Sequence, residues 1–124
     1  MKHVDVLIVD DQAPFRRAAR AVVAATPGFE VAGEAESGED AVRMADAIDP
    51  GLVLMDINLP GINGIEATRR IKASHPTTVV MLLSTYQIGD VPADALECGA
   101  AAYVHKEEFG PDLVRDVWAK HSAV

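Results

Sequence analysis

Four apolar segments of this chain each end on residues that can do chemistry. Asp10 and Asp11 follow residues 4–9, Asp56 follows 52–55, Ser84 and Thr85 follow 79–83, and His105 and Lys106 follow 101–104. Each has an ordinary explanation taken singly: an Asp pair caps a helix, a Ser-Thr pair belongs to a turn, a lone lysine faces water. Their joint occurrence points to one site. If the segments are parallel, adjacent strands, all of these groups converge on one edge of a sheet. Three carboxylates so placed repel and raise one another's pKa unless a cation offsets them. An all-oxygen cluster suits a hard ion such as Mg²⁺. The four histidines, His3, His75, His105 and His121, show no transition-metal spacing. A lysine and a hydroxyl opposite the acids fit an anion that binds transiently. Phosphoryl chemistry uses this set: a carboxylate nucleophile, a metal, an ammonium as point charge, and a hydroxyl donor.

The elements that would position these groups alternate between strand and helix. Residues 4–9 form an apolar, β-branched run broken only by Asp5, as in a buried strand. Pro14 opens a helix where its missing N–H costs nothing. That helix presents Phe15, Ala18, Ala19, Val22 and Val23 on one face and Arg16, Arg17 and Arg20 on a solvated one. Residues 29–35 alternate like an edge or half-exposed strand, with Phe29, Val31, Gly33 and Ala35 sharing a face. Ser37 caps a second helix, which ends at Asp49, Pro50 and Gly51.

The central run 52–55 is too short for a helix and is closed by Asp56. Pro60 and Gly61 force a turn, and Asn63 and Gly64 lead into a third helix spaced by Ile65, Ala67, Thr68 and Ile71. A short helix is expected over residues 92–97, with Gly99 as its left-handed cap. The last helix starts at Gly110, Pro111 and Asp112 and carries Leu113, Val114, Val117 and Trp118 as core positions. Short connections between alternating elements give a parallel sheet with helices on both faces.

At 124 residues the chain is expected to be one domain, residues 1–124. Its formal charge of −8 argues against nucleic-acid contact by this domain. A single cysteine, Cys98, excludes an internal disulfide framework and suits a reducing compartment. The amino terminus has no long apolar stretch and no segment approaches the length of a membrane span, so the expected location is cytoplasmic, with no membrane partner.

Over its whole length the sequence resembles the receiver domain of two-component response regulators. The residues that carry the resemblance are Asp10 and Asp11, the run Met55, Asp56, Ile57, Asn58, Leu59, Pro60 and Gly61, then Ser84, and Tyr103 three places before Lys106. It implies a flavodoxin-like (βα)5 doubly wound α/β fold with strand order 2-1-3-4-5. It further implies that Asp56 is the phosphoacceptor, served by a phosphohistidine on a sensor histidine kinase or a phosphotransfer protein. Asp11, Asp56 and the backbone carbonyl of Asn58 would bind Mg²⁺ directly, and Asp10 through water. Lys106 would pair with the phosphoryl oxygens. Ser84 would hydrogen-bond the aspartyl phosphate while Tyr103 swings inward, and homodimerisation on phosphorylation would be one consequence. The first helix adjoins the active site in this family, so Arg16, Arg17 and Arg20 could serve kinase docking.

Glu107 stands where many receivers have proline, which is similar to the NarL/LuxR type, whose receivers precede a DNA-binding domain. The chain is then a stand-alone receiver or an N-terminal module that controls transcription. Thr85 replaces the usual Ala or Gly, and His105 a usually apolar residue. Two other readings use the same fold. A pseudo-receiver binds without phosphorylation but typically lacks an acid or the lysine, and this chain has all of them. An aspartyl-phosphate hydrolase needs a second acid two residues after its nucleophile, where this chain has Gln12 after Asp10 and Asn58 after Asp56.

Overall fold

The computed structural model describes residues 3–85, 95 and 97–122. The apolar runs form five strands, β1 (Val4–Val9), β2 (Phe29–Ala35), β3 (Leu52–Asp56), β4 (Val79–Ser84) and β5 (Ala102–His105). They make one sheet in the order β2-β1-β3-β4-β5, parallel throughout, as expected. β3 and β4 are buried along their whole length because helices cover both sheet faces. Strands also run past the apolar segments. Asp56, Ser84 and His105 are each the last residue of a strand. The sheet therefore fixes their backbones, pairing Asp56 with Leu83 and Ser84 with His105.

Helices α1 (Ala13–Ala24) and α4 (Pro111–His121) cover one face, packing Ala19, Val23, Val114 and Val117 onto Ile8, Leu54 and Met81. Helices α2 (Gly38–Ile48) and α3 (Gly64–Ser74) cover the other, with Ala41, Ala45, Ile65 and Ile71 on Leu7, Val53 and Leu82. Trp118 is half-buried and packs against this core, edge-on to Phe29 at a ring separation of 6.0 Å. Ser37 caps α2 by accepting from the Asp40 N–H at 3.1 Å, and Asn63 caps α3 through the Glu66 N–H at 2.9 Å. Gly99 has the expected left-handed backbone, φ +98°. The helix expected over 92–97 falls largely outside the described residues.

Two local expectations need correction. Ala18 is exposed, because the stripe of α1 that meets the sheet runs through Phe15, Ala19, Val22 and Val23 and passes it by. The single face expected for β2 is also split. Val6 pairs with Val31, but Leu7 pairs with Gly33, so Ala32 is an extra residue in the ladder. Such a bulge reverses the alternation beyond it. Phe29 and Val31 pack towards α1 and α4, whereas Ala35 joins the α2 and α3 layer.

Gly64 ties the third helix to the phosphoacceptor candidate. Its N–H donates to the Ile57 carbonyl at 2.9 Å, and its own carbonyl accepts from the Thr68 hydroxyl at 2.7 Å. A methyl group at Gly64 would collide with the Asp56 carbonyl oxygen and come within 2.9 Å of the Ile57 Cα. Neither obstacle is a flexible side chain, so the β3–α3 turn must shift. Gly64→Ala is expected to lose about 1–2 kcal/mol in urea unfolding, with amide shifts at Asp56 and Ile57. Wild-type stability in that variant would disprove the close approach.

At the opposite end of the sheet, His75 joins α3 to α2. Its Nε2 lies 2.8 Å from Asp46 and its Nδ1 3.1 Å from Asp49. The Asp46 hydrogen bond holds the imidazole above its ordinary pKa of 6.5; burial opposes this and Asp49 reinforces it. Stability from this contact is thus complete below 6.5 and is lost as pH rises through the elevated folded value. The melting-temperature gap between wild type and His75→Gln should be wider at pH 6 than at pH 9. A pH-independent gap would show that the imidazole contributes by packing alone.

Candidate functional site

A cleft of about 230 Å³ opens at the carboxyl ends of the central strands, lined by Asp11, Gln12, Asp56, Asn58, Thr85 and Lys106. The topology places it there, since β1, β3 and β5 all end on this side of a parallel sheet. Asp56 is only 4 % exposed. Its Oδ1 accepts the Asn58 N–H at 3.3 Å, and its Oδ2 lies 3.6 Å from the Lys106 ammonium. Burial, more than anything else, raises the Asp56 carboxyl from 3.8 to about 6. The Asp10 charge pushes the same way, Lys106 and the Asn58 N–H pull it back, and Asp11 adds a smaller upward push.

Asp10 is completely buried beside it. One of its oxygens accepts the Gln12 N–H at 2.8 Å and the other accepts from Lys106 Nζ at 2.7 Å. Lys106, with a side chain 14 % exposed, bridges the two buried acids. Asp11 and Asn58 are exposed at the cleft. Carboxylate oxygens from Asp10, Asp11 and Asp56 lie within 4.8 Å of one another. Three acids against one lysine leave excess negative charge, and every donor is oxygen. That set fits a hard divalent cation.

Ser84 is buried at the end of β4, and the cleft wall beside it is formed by Thr85. Tyr103 is partly buried on β5 with its hydroxyl inside, lining a separate cavity of about 190 Å³ with Ala95, Ala100, Ala101 and Ala102. The structure therefore gathers Asp10, Asp11, Asp56, Asn58 and Lys106, with Ser84 buried at the end of β4 and Tyr103 on the separate cavity.

A family model described as the response regulator receiver domain matches residues 6–117. The chain belongs to that family. The response regulator GacA of Pseudomonas viridiflava is 38 % identical over 114 residues, covering 92 % of this chain and 53 % of its own. The transcriptional regulatory protein DegU of Brevibacillus brevis is 35 % identical over 114 residues, covering 92 % and 48 %. The crystal structure of a LuxR-family two-component response regulator from Aurantimonas sp. SI85-9A1 superimposes with a TM-score of 0.87 at 30 % identity, covering 99 % of this chain and 90 % of that one. The relatives are regulators of the NarL/LuxR type, and the receiver spans about half the length of the curated ones. Receiver domains are phosphoacceptors that bind Mg²⁺ at an acidic pocket and work with histidine kinases or phosphotransfer proteins.

Within this receiver, Arg16 corrects the expectation of a solvated arginine face. Its side chain is only 14 % exposed and its Nη1 donates to the Asp10 carbonyl at 2.7 Å. Its Nε lies 3.3 Å from Glu34 and its Nη2 3.4 Å from Glu36. Arg20 donates to both oxygens of Glu34, at 2.8 and 2.7 Å. The arginine thus clamps the β1–α1 turn to the end of β2. Helical spacing alone gave no sign of it, because its partners sit on another strand.

His105 also acquires a defined place. Its Nε2 lies 3.0 Å from the Thr85 carbonyl and its Nδ1 accepts the Glu107 N–H at 3.2 Å. Only the neutral tautomer with hydrogen on Nε2 makes both bonds. The ring links the cleft wall to the turn that follows Lys106. Among the described residues no helix is long and apolar enough to cross a membrane.

Proposed function

We propose that this receiver is a phosphorylation switch in which Asp56 takes a phosphoryl group, in the presence of Mg²⁺, from a phosphohistidine on a sensor kinase or phosphotransfer protein. The observation that carries the reading is the buried Asp56 carboxylate at the cleft, 3.6 Å from Lys106 Nζ and beside two further acids. An Asp56 oxygen forms the new O–P bond as the donor's P–N bond breaks, and the electron pair stays with the imidazole. Asp11, Asp56 and the Asn58 carbonyl would hold the metal, with Asp10 through water; when bound, it offsets the charge of the incoming phosphoryl group.

Lys106 donates to the phosphoryl oxygens, which requires it to trade part of its contact with Asp10 for one above Asp56. The group carries nearly two negative charges and reorders any donor that can reach it. Ser84, the hydroxyl at the end of β4, takes that role. Tyr103 then moves inward and alters the surface around β5. The aspartyl phosphate hydrolyses slowly at the same site.

The output we propose is control of transcription through a DNA-binding domain outside residues 1–124, with homodimerisation of the altered surface as a means. Residues 1–124 act as one receiver unit in that arrangement. This rests on the relatives of about twice the length, which are transcriptional regulators.

The test is intact-protein mass after incubation with acetyl phosphate, with and without Mg²⁺. A gain of one phosphoryl group that needs Mg²⁺ and disappears in Asp56→Asn is expected. No gain under either condition would overturn the reading and leave a non-phosphorylated binding module.

A further inference from the structure

The Lys106 ammonium has a third neighbour besides its two acids: it lies over the face of the Phe15 ring, 4.3 Å from the centroid. Phe15 is in the first turn of α1, and its ring packs on Phe109, 6.0 Å between centroids and tilted by 40°. Phe109 directly follows the short 3₁₀ turn Lys106–Glu108. The lysine and its supporting ring therefore come from different elements, joined by one aromatic pair.

We infer that Phe15 is a positioning residue, whose ring face, backed by Phe109, keeps the Lys106 ammonium over Asp56 when Asp10 releases it. The inference rests on the reading of Asp56 as phosphoacceptor and deepens it. In the resting protein Lys106 is held chiefly by Asp10, at 2.7 Å, with Asp56 further away at 3.6 Å. Phosphoryl transfer reverses that preference, because Lys106 must turn to the oxygens on Asp56. Carboxylate oxygens of Asp10 and Asp56 lie within 4.8 Å of each other, so the move required of the ammonium is short. The ammonium exchanges the Asp10 carboxylate for the more highly charged phosphoryl group, and the Phe15 face is the contact it makes on both sides of that exchange. Holding the ammonium within reach of the reacting oxygens lowers the orientational cost of the transition state. A flexible four-carbon stem without that surface would swing towards water.

The experiment combines a rate with a structural readout. Phe15 is replaced by Leu, by Tyr, and by mono-, di- and trifluorophenylalanine, which keep the shape but drain the ring face of negative potential. Single-turnover phosphorylation by acetyl phosphate with Mg²⁺ is measured for each. NMR of the metal-free protein follows the Lys106 ε-protons, which an aromatic face shifts upfield. Phe15→Leu is expected to slow transfer about fivefold and abolish the upfield shift. The fluorinated series should slow transfer progressively, and Tyr should restore the wild-type rate. Equal rates across the fluorinated series, with wild type phosphorylated on Asp56, would overturn the role of Phe15 and leave the phosphoacceptor reading intact. A wild-type protein that takes no phosphoryl group on Asp56 would overturn both. Lys106 ε-protons unshifted in the wild type would overturn the contact itself.

Discussion

Lys106→Met is expected to destabilise the folded protein by about 3–5 kcal/mol near pH 7, although the two side chains have similar length and volume. The reason lies in what the lysine leaves behind. Asp10 is fully buried and Asp56 nearly so, and Lys106 is the cation in contact with both. Without it Asp10 retains, among the described residues, the Gln12 N–H, a neutral donor for a desolvated charge. Removing one partner of a buried pair strands the other, which costs far more than the pair contributes net. Urea unfolding at pH 7.5 would measure the loss. Adding Asp10→Asn to the Met variant should recover more than half of it, because the stranded charge is gone. A loss below about 1 kcal/mol, or no recovery in the double variant, would show that water solvates these acids well through the cleft.

Asp56→Asn should have the opposite sign and stabilise the protein at neutral pH. The carboxyl, raised from 3.8 to about 6 by burial and then by Asp10, is more readily protonated folded than unfolded. Below about 3.8 both states are protonated and the group adds nothing. Between 3.8 and 6 the folded state loses stability as pH rises, and above 6 the full loss is in force. Each pH unit is worth about 1.4 kcal/mol, giving about 3 kcal/mol, which access of solvent to the cleft reduces to roughly 2. Asparagine carries no charge at any of these pH values. Its melting temperature should exceed that of wild type by roughly 5–10 °C at pH 7.5 and match it near pH 4. Millimolar Mg²⁺ should narrow the gap, since a cation at the acids stabilises the wild type more. A variant less stable than wild type at pH 7.5 would mean that Asp56 is stabilised, not strained, by its surroundings. The same strain suits a phosphoacceptor, which keeps a poorly solvated carboxylate at hand for an incoming electrophile.

Much of this was legible in the chain. Apolar runs of strand length alternate with helical patterns, and the connections are short enough to force parallel neighbours. From there, residues at the carboxyl ends of β1, β3 and β5 had to converge, so the pattern alone brings Asp10, Asp11, Asp56 and Lys106 together. Gly64 was visible only as a turn residue; its contact with the Asp56 carbonyl depends on how the loop folds back over the strand end.

What the sequence alone determined is the set of strand ends and their order, because hydrophobic periodicity and connection length act locally. What tertiary structure decided is every partnership across elements. The bulge at Ala32 turned Ala35 to the other layer. Arg16 left the solvent face that helical spacing assigned to it and reached the Asp10 carbonyl. Phe15, to all appearance plain core filling, came to lie under the Lys106 ammonium. In each case the deciding partner lies on another element, and short-range patterning holds no information about which distant residue the packed chain will place a few ångströms away.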